Sequence, residues 1–324
     1  MQAVDSFLDS LKSKHTKEQY GYHINRFLKT TEGTSPDIII GYLSEMKHEG
    51  LSYSYRNLAK SAIKHYCIMN DVMLNWEKIS KFLGEQTFDN EIRGYTHEEI
   101  QKLLIVADAK YKAVILTLCS TGMRREALVQ INPATDMEYL EDYKLYKIKI
   151  YRKTKYEQIC FTTPEAAEAI KLHMLSRQRK YFHAVNPKAV SIHLRHLAVR
   201  AGLGQIHPFT ENGRPGQFHD KIPAVQGFRK FCITQMARAK VDTEIAKLLT
   251  GHSIGVRSKY LNYSDDDLLA EYVKAIDYLT INEENRLKKK IEELTVKDNE
   301  IKELREQFLE LKEALKKKPE YYKP

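Results

Sequence analysis

Apolar residues recur at every third or fourth position through roughly the first eighty residues, the period of helices that bury one face. Val4, Phe7, Leu8 and Leu11 make one stripe, and Thr16 with Gln19 has the form of a capping box ahead of Tyr20, Ile24, Phe27 and Leu28. Ser35 and Pro36 read as the cap and first position of a helix over IIIGYLSEM, which Gly50 ends. A fourth helix over YRNLAKSAIKHYCIMN completes a set able to close a small core, with Trp76 as its seal.

The period is lost in GEQTFDNEIRGY, residues 84–95, which carries both charge signs and two glycines; a domain boundary is expected there. Thr96 and Glu99 then form a second capping-box signature before IQKLLIVADA, and another helix carries YKAVILTLCSTG. The pattern changes to alternation in YKLYKIKIYRK, a strand for which TKYEQICFTT is the returning partner, before Thr163 and Pro164 open a further helix. The expected fold class is mostly α. A helical domain over 1–85 and a linker over 86–95 precede an α/β domain over 96–281, mainly helical with a small antiparallel sheet. No βαβ repeat points to a nucleotide-binding Rossmann fold.

From about residue 282 the chain becomes rich in Lys, Glu and Leu, and 282–324 reads as one long helix. Leu287, Ile291, Leu294, Asp298 and Ile301 follow steps of four and three; Leu304, Phe308, Leu311 and Leu315 resume them after an extra step of three. That spacing suits a coiled coil with a local stammer. The alternatives are a helix laid on its parent domain, or a solvated helix held by ion pairs one turn apart.

Charge adds direction. A formal net charge of +9 and an isoelectric point near 9.1 favour a polyanionic partner, although the tail, with its many acids, does not account for such affinity by itself. The cysteines Cys67, Cys119, Cys160 and Cys232 are scattered among apolar neighbours without metal-ligand spacing and read as reduced thiols. No signal-like start or membrane-length apolar run is present, so a cytoplasmic protein without a membrane partner is expected.

Three strings carry candidate chemistry. In CSTGMRREAL a Thr-Gly turn presents Arg124 at the start of a helix, where a planar guanidinium can hold two phosphate oxygens. In VQGFRKFCITQMARAKV, Arg229 lies in a helix whose Phe228, Phe231, Cys232 and Met236 can pack and so fix its base. In LLTGHSIGVRSKYLNY, His252 follows a glycine turn and precedes Tyr260 and Tyr263, which one helical face could carry together. Each string alone is also what an ordinary surface arginine, amphipathic helix or packed tyrosine would produce.

Taken together and in this order, TGMRREAL, VQGFRKF, LTGHS and SKYLNY resemble the two arginine boxes, the distal histidine box and the nucleophile region of the tyrosine recombinase family, with the pattern closest to archaeal integrases of viral or plasmid type. The resemblance covers residues 96 to about 280. It implies that Arg124 and Arg229 clamp the scissile phosphate, that His252 donates to it and that Tyr260 attacks it, with Tyr263 as the alternative nucleophile. It also implies a β-hairpin lysine that protonates the leaving oxygen, Lys153 in YRKTKYEQICF or, alternatively, Lys155. The N-terminal domain would bind core DNA. Double-stranded attachment sites would be the partner, a homo-tetramer on DNA the working assembly, and no cofactor or metal would be needed.

The sequence departs from the family pattern in three places. Gln226 stands where a histidine is common and can orient or bind phosphate but cannot act as an acid or base at neutral pH, leaving nearby His219 as a substitute. Ala127 occupies a position that is often acidic, beside Glu126, and the interval from His252 to Tyr260 is slightly short. A separate string, HLRH at 193–196, mimics an arginine box but falls before the second one, and a DNA-facing or solvated helix suits it better. The competing functions are a topoisomerase-like nicking and resealing enzyme and a noncatalytic DNA-binding scaffold.

Overall fold

The computed structural model describes residues 2–85, 92–154, 156–177, 186–204, 222–252 and 262–316. The chain divides into two compact units, Met1–Asn90 and Glu91–Pro324.

The first unit is built from α1 (Gln2–Ser10), α2 (Lys14–Thr30), α3 (Pro36–His48), α4 (Tyr53–Met69) and α5 (Trp76–Ser80), with a 3-10 turn over Lys81–Leu83. Side-chain oxygens cap α2 to α5: Ser13, Ser35, Ser52 and Asn75 each accept a first-turn N–H that no preceding carbonyl can reach. The cap of α2 is therefore Ser13 and not Thr16, whose own N–H it takes. The helix starts one turn earlier than the Thr16–Gln19 pattern suggests, because an extended Ser13 offers its hydroxyl first. Phe7, Ile24, Phe27, Ile39, Leu43 and Ile63 form the core, and Trp76 packs partly buried against it.

The second unit opens with α6 (His97–Val106), where both halves of the Thr96–Glu99 capping box are made. Next come α7 (Ala109–Thr121), α8 (Arg125–Leu128) and α9 (Pro133–Asp136). The sheet follows, with β1 (Met137–Leu140), β2 (Leu145–Ile150) and β3 (Gln158–Phe161) antiparallel in that order; Tyr139 pairs with Tyr146 and Ile148 with Cys160. The hairpin legible in the sequence thus gains a third strand. MEYL is short and at the edge, and its register is supported by edge-on packing of the Tyr139 and Tyr146 rings 5.1 Å apart.

The chain returns to helices in α10 (Pro164–Arg177), α11 (Pro187–Arg200), α12 (Gln226–Arg238), α13 (Thr243–Leu249), α14 (Asp265–Val273), α15 (Ile276–Leu279) and the 34-residue α16 (Glu283–Lys316). The centre is α7, which packs against both α10 and α12 and is buried from Ala113 to Thr121. Its Thr117, Ser120 and Thr121 hydroxyls donate to carbonyls one turn back, so the buried polar groups stay satisfied. Gly122 ends α7 at φ 59°, and a side chain there would press on Cys232 of α12 and on Thr250 after α13. This close approach draws the ends of α7 and α13 onto the middle of α12. All four cysteines are buried and unpaired. No helix among the described residues is long and apolar enough to cross a membrane.

Candidate functional site

Where α7 stops, Met123 turns inward and Arg124 takes an extended backbone as the N-cap of α8, which leaves its side chain exposed. Its Nη1 donates to the Gly251 carbonyl at 3.2 Å. Arg229 comes from α12, whose Phe228, Phe231 and Cys232 are buried and hold the helix in place. Its Nη1 donates to the Gly122 carbonyl at 2.6 Å, placing the cation on the electronegative end of α7. His252 follows Gly251, which takes φ 70° after α13, and its backbone N–H returns to the Lys247 carbonyl. A side chain on Gly251 would collide with the Gln158 amide oxygen, so only glycine lets this turn sit against β3. Three segments distant in sequence thereby bring Arg124, Arg229 and His252 into one array.

The array opens into a cavity of about 690 Å³ lined also by Arg125, Arg195, Gln226 and Lys230. Glu126 is the one acid among the described lining residues, and Arg125 takes up its carboxylate at 2.6 Å while also donating to Ser191 on α11. The basic residues leave the cavity suited to a phosphate-bearing ligand. Burial, reinforced by the neighbouring Arg124 charge, pushes the Arg229 guanidinium down to about 10, still protonated at neutral pH. Burial first, then the charges of Arg229, Arg124 and Lys247, hold His252 below the ordinary value of 6.5. Both shifts report burial first, and then cations gathered around the site.

The remaining sequence candidates are placed unevenly. Gln226 is the exposed first residue of α12 and lines the cavity. Lys153 is exposed in the turn between β2 and β3 at φ 60°, its N–H held by the Glu157 carboxylate, and is not among the lining residues. Tyr263 is half-buried against the core of the second unit. Tyr260, Lys155 and His219 lie outside the described residues.

No family model matches the chain. Over 123 residues, 37% of this chain and 41% of the relative, it is 27% identical to the tyrosine recombinase XerA of Pyrococcus horikoshii, so the match spans about two fifths of that protein's length. The fold aligns with the Tn1549 transposon integrase solved with transposon right end DNA at a TM-score of 0.58 and 14% identity, covering 84% of this chain and 98% of that one. It aligns with the lambda integrase tetramer bound to a Holliday junction at 0.58 and 13% identity, covering 82% and 77%. The chain has the fold of these integrases.

Two residues near the site were missed by reading the boxes. Arg195, set aside in the sequence as part of the HLRH mimic, reaches the same cavity from α11, while His193 stacks on Tyr111 with ring centroids 3.7 Å apart. Tyr151, at the end of β2 with φ 55°, is half-buried within electrostatic reach of Arg124 and Arg229. Neither had a local signal. Arg195 is separated from Arg124 by the whole sheet and α10, so only the packing of α11 on α8 brings it near.

Proposed function

We propose that the chain is a site-specific DNA recombinase or integrase that cuts and rejoins strands through a 3′-phosphotyrosyl intermediate, with Tyr260 as nucleophile. The observation that carries this reading is the convergence of Arg124, Arg229 and His252 on one basic cavity. The likeness to XerA and to the integrase folds supports cleavage and rejoining of DNA as the reaction class.

In this mechanism the two guanidiniums take the non-bridging oxygens of the scissile phosphate and stabilise the charge that accumulates as phosphorus becomes pentacovalent. The phosphate would also draw a proton onto His252, which is held neutral while only cations surround it. Gln226 donates a further hydrogen bond from the start of α12. Tyr260 attacks in line, the tyrosyl oxygen forms the new P–O bond, and Lys153, from the β2–β3 turn, protonates the departing 5′ oxygen. A 5′-hydroxyl from a partner strand then displaces tyrosine. The covalent ester conserves the bond energy, so no nucleotide hydrolysis is required.

The first unit would bind core DNA and the second would hold the scissile phosphate. Exchange between two duplexes requires more than one active site, and a homo-tetramer on paired attachment sites is the proposed assembly. The integrase structures solved with transposon right end DNA and with a Holliday junction support this reading.

Trapping on a nicked suicide duplex bearing the attachment site tests the proposal. The native chain and Tyr263→Phe are expected to form the adduct and Tyr260→Phe to lose it. Loss only in Tyr263→Phe moves the nucleophile, and no adduct from the native chain favours the scaffold. Holliday-junction formation separates recombination from topoisomerase-like resealing.

A further inference from the structure

Along α16 the seam read from the sequence stands open to solvent. Leu287, Ile291, Leu294 and Ile301 in its first half, and Leu304, Phe308 and Leu311 in its second, are between 46% and 67% exposed. An apolar stripe of this length at coiled-coil spacing is a helix-docking surface, and the question is what occupies it.

The rows on either side of the seam answer it. Lys297, Lys302, Arg305 and Lys312 occupy flanking positions and are exposed, whereas Thr295 and Gln307 are the neutral ones among the described flanks. Glu303, Glu306 and Glu310 fall on the outward positions. If two copies paired in parallel, Lys297 of one would meet Lys302 of the other, and Asp298, which interrupts the seam, would face its own counterpart in a desolvated core. Antiparallel pairing sets like flank against like flank and again opposes lysine with lysine. Both arrangements place like charges together, which disfavours a second copy.

We propose that α16 docks a different protein: an amphipathic helix with an apolar seam, acidic residues along its flanks and a basic or hydrogen-bonding residue opposite Asp298. Such a helix covers the exposed leucines, pairs with the lysine rows and supplies a partner for the seam carboxylate. This surface is independent of the arginine cavity and of whether that cavity performs strand transfer.

The probes are two synthetic peptides of about four heptads each, identical in their Ile/Leu seam with one lysine opposite Asp298, one flanked by Glu and the other by Lys. Titrated against the full chain by fluorescence anisotropy, the Glu peptide is expected to bind at least about tenfold more tightly, with the advantage shrinking as salt is raised. The triple variant Lys297→Glu, Lys302→Glu, Lys312→Glu should reverse the preference, and Leu304→Ser with Phe308→Ser should abolish binding of both. Equal affinity for the two peptides, or none for the Glu peptide, overturns the proposal. So does sedimentation of the free chain as a dimer that Leu304→Ser with Phe308→Ser dissociates, which assigns the seam to a second copy. Loss of DNA affinity in the lysine variant with no change in peptide binding assigns the flanks to nucleic acid and also overturns it.

Discussion

Arg229 and His252 meet at close range: the Arg229 Nη2 lies 3.1 Å from Nε2 and 3.2 Å from Nδ1 of the imidazole. The surrounding bonds decide which ring nitrogen carries the proton. The Thr250 hydroxyl donates to the Ala246 carbonyl at 2.7 Å, so its oxygen is free to accept from the Nδ1–H of His252, 2.9 Å away. That assigns the lone pair to Nε2. To donate to a phosphate from Nε2, His252 must gain a proton.

The first expectation concerns pH. An imidazole whose folded value is below its unfolded value takes its proton more readily in the unfolded chain, so the stability it contributes is complete above 6.5 and declines as the pH falls below it. NMR titration of the free protein should place His252 below 6.5, and saturating inorganic phosphate should move it upward. A midpoint at or above the ordinary value in the free protein contradicts the cation-crowded site.

Arg229→Lys keeps a cation but loses the fork that joins the Gly122 carbonyl to the cavity. Single-turnover adduct formation on the suicide duplex should slow by about a hundredfold to a thousandfold, the scale for losing one preorganised donor. An unchanged rate would remove Arg229 from the phosphate clamp.

Gly251→Ala forces a side chain into a left-handed backbone and against Gln158, whose amide donates to the Leu249 carbonyl at 2.6 Å. A loss of roughly 1–3 kcal/mol is expected in urea unfolding, together with weaker phosphate binding because the carbonyl that seats Arg124 shifts. Native-like stability would show that the turn relaxes freely.

A buried tyrosine provides the contrast to the proposed nucleophile. The Tyr272 hydroxyl donates to the Ser120 carbonyl at 3.0 Å deep in the core, and burial pushes its ionisation far up. Tyr272→Phe should cost about 1 kcal/mol in chemical denaturation and leave the DNA adduct rate unchanged. A lost adduct with intact stability would reopen the choice of nucleophile.

Local rules read well where one segment settles its own conformation. Thr96 with Glu99, and Ser35 with Pro36, mark helix starts because the cap and its partner lie within one turn. The stretch Leu145–Ile150 reads as a strand from its alternation, but β1 does not, since an edge strand is specified largely by the neighbour it pairs with. In the cavity, Arg124, Arg229 and His252 could be picked out by their order along the chain, whereas Arg195 enters only through packing of α11, and Tyr151 comes within electrostatic reach of the two arginines only through the end of β2.

Two side chains hold the root of α16. The Gln101 Nε2 donates to the Ile281 carbonyl at 3.0 Å. The Glu165 carboxylate at the start of α10 accepts from the Ile281 and Asn282 N–H groups just ahead of the helix. From there a helix of 34 residues extends about 50 Å, the length of about fifteen base pairs of duplex. A cargo bound near its far end is carried on a spar instead of a flexible leash, so the distance it can sample is set by the angle at the root more than by chain entropy. A tilt of about 5° at that root would sweep the tip by roughly 4 Å, so reach is set where Glu165 and Gln101 hold the Ile281–Asn282 backbone.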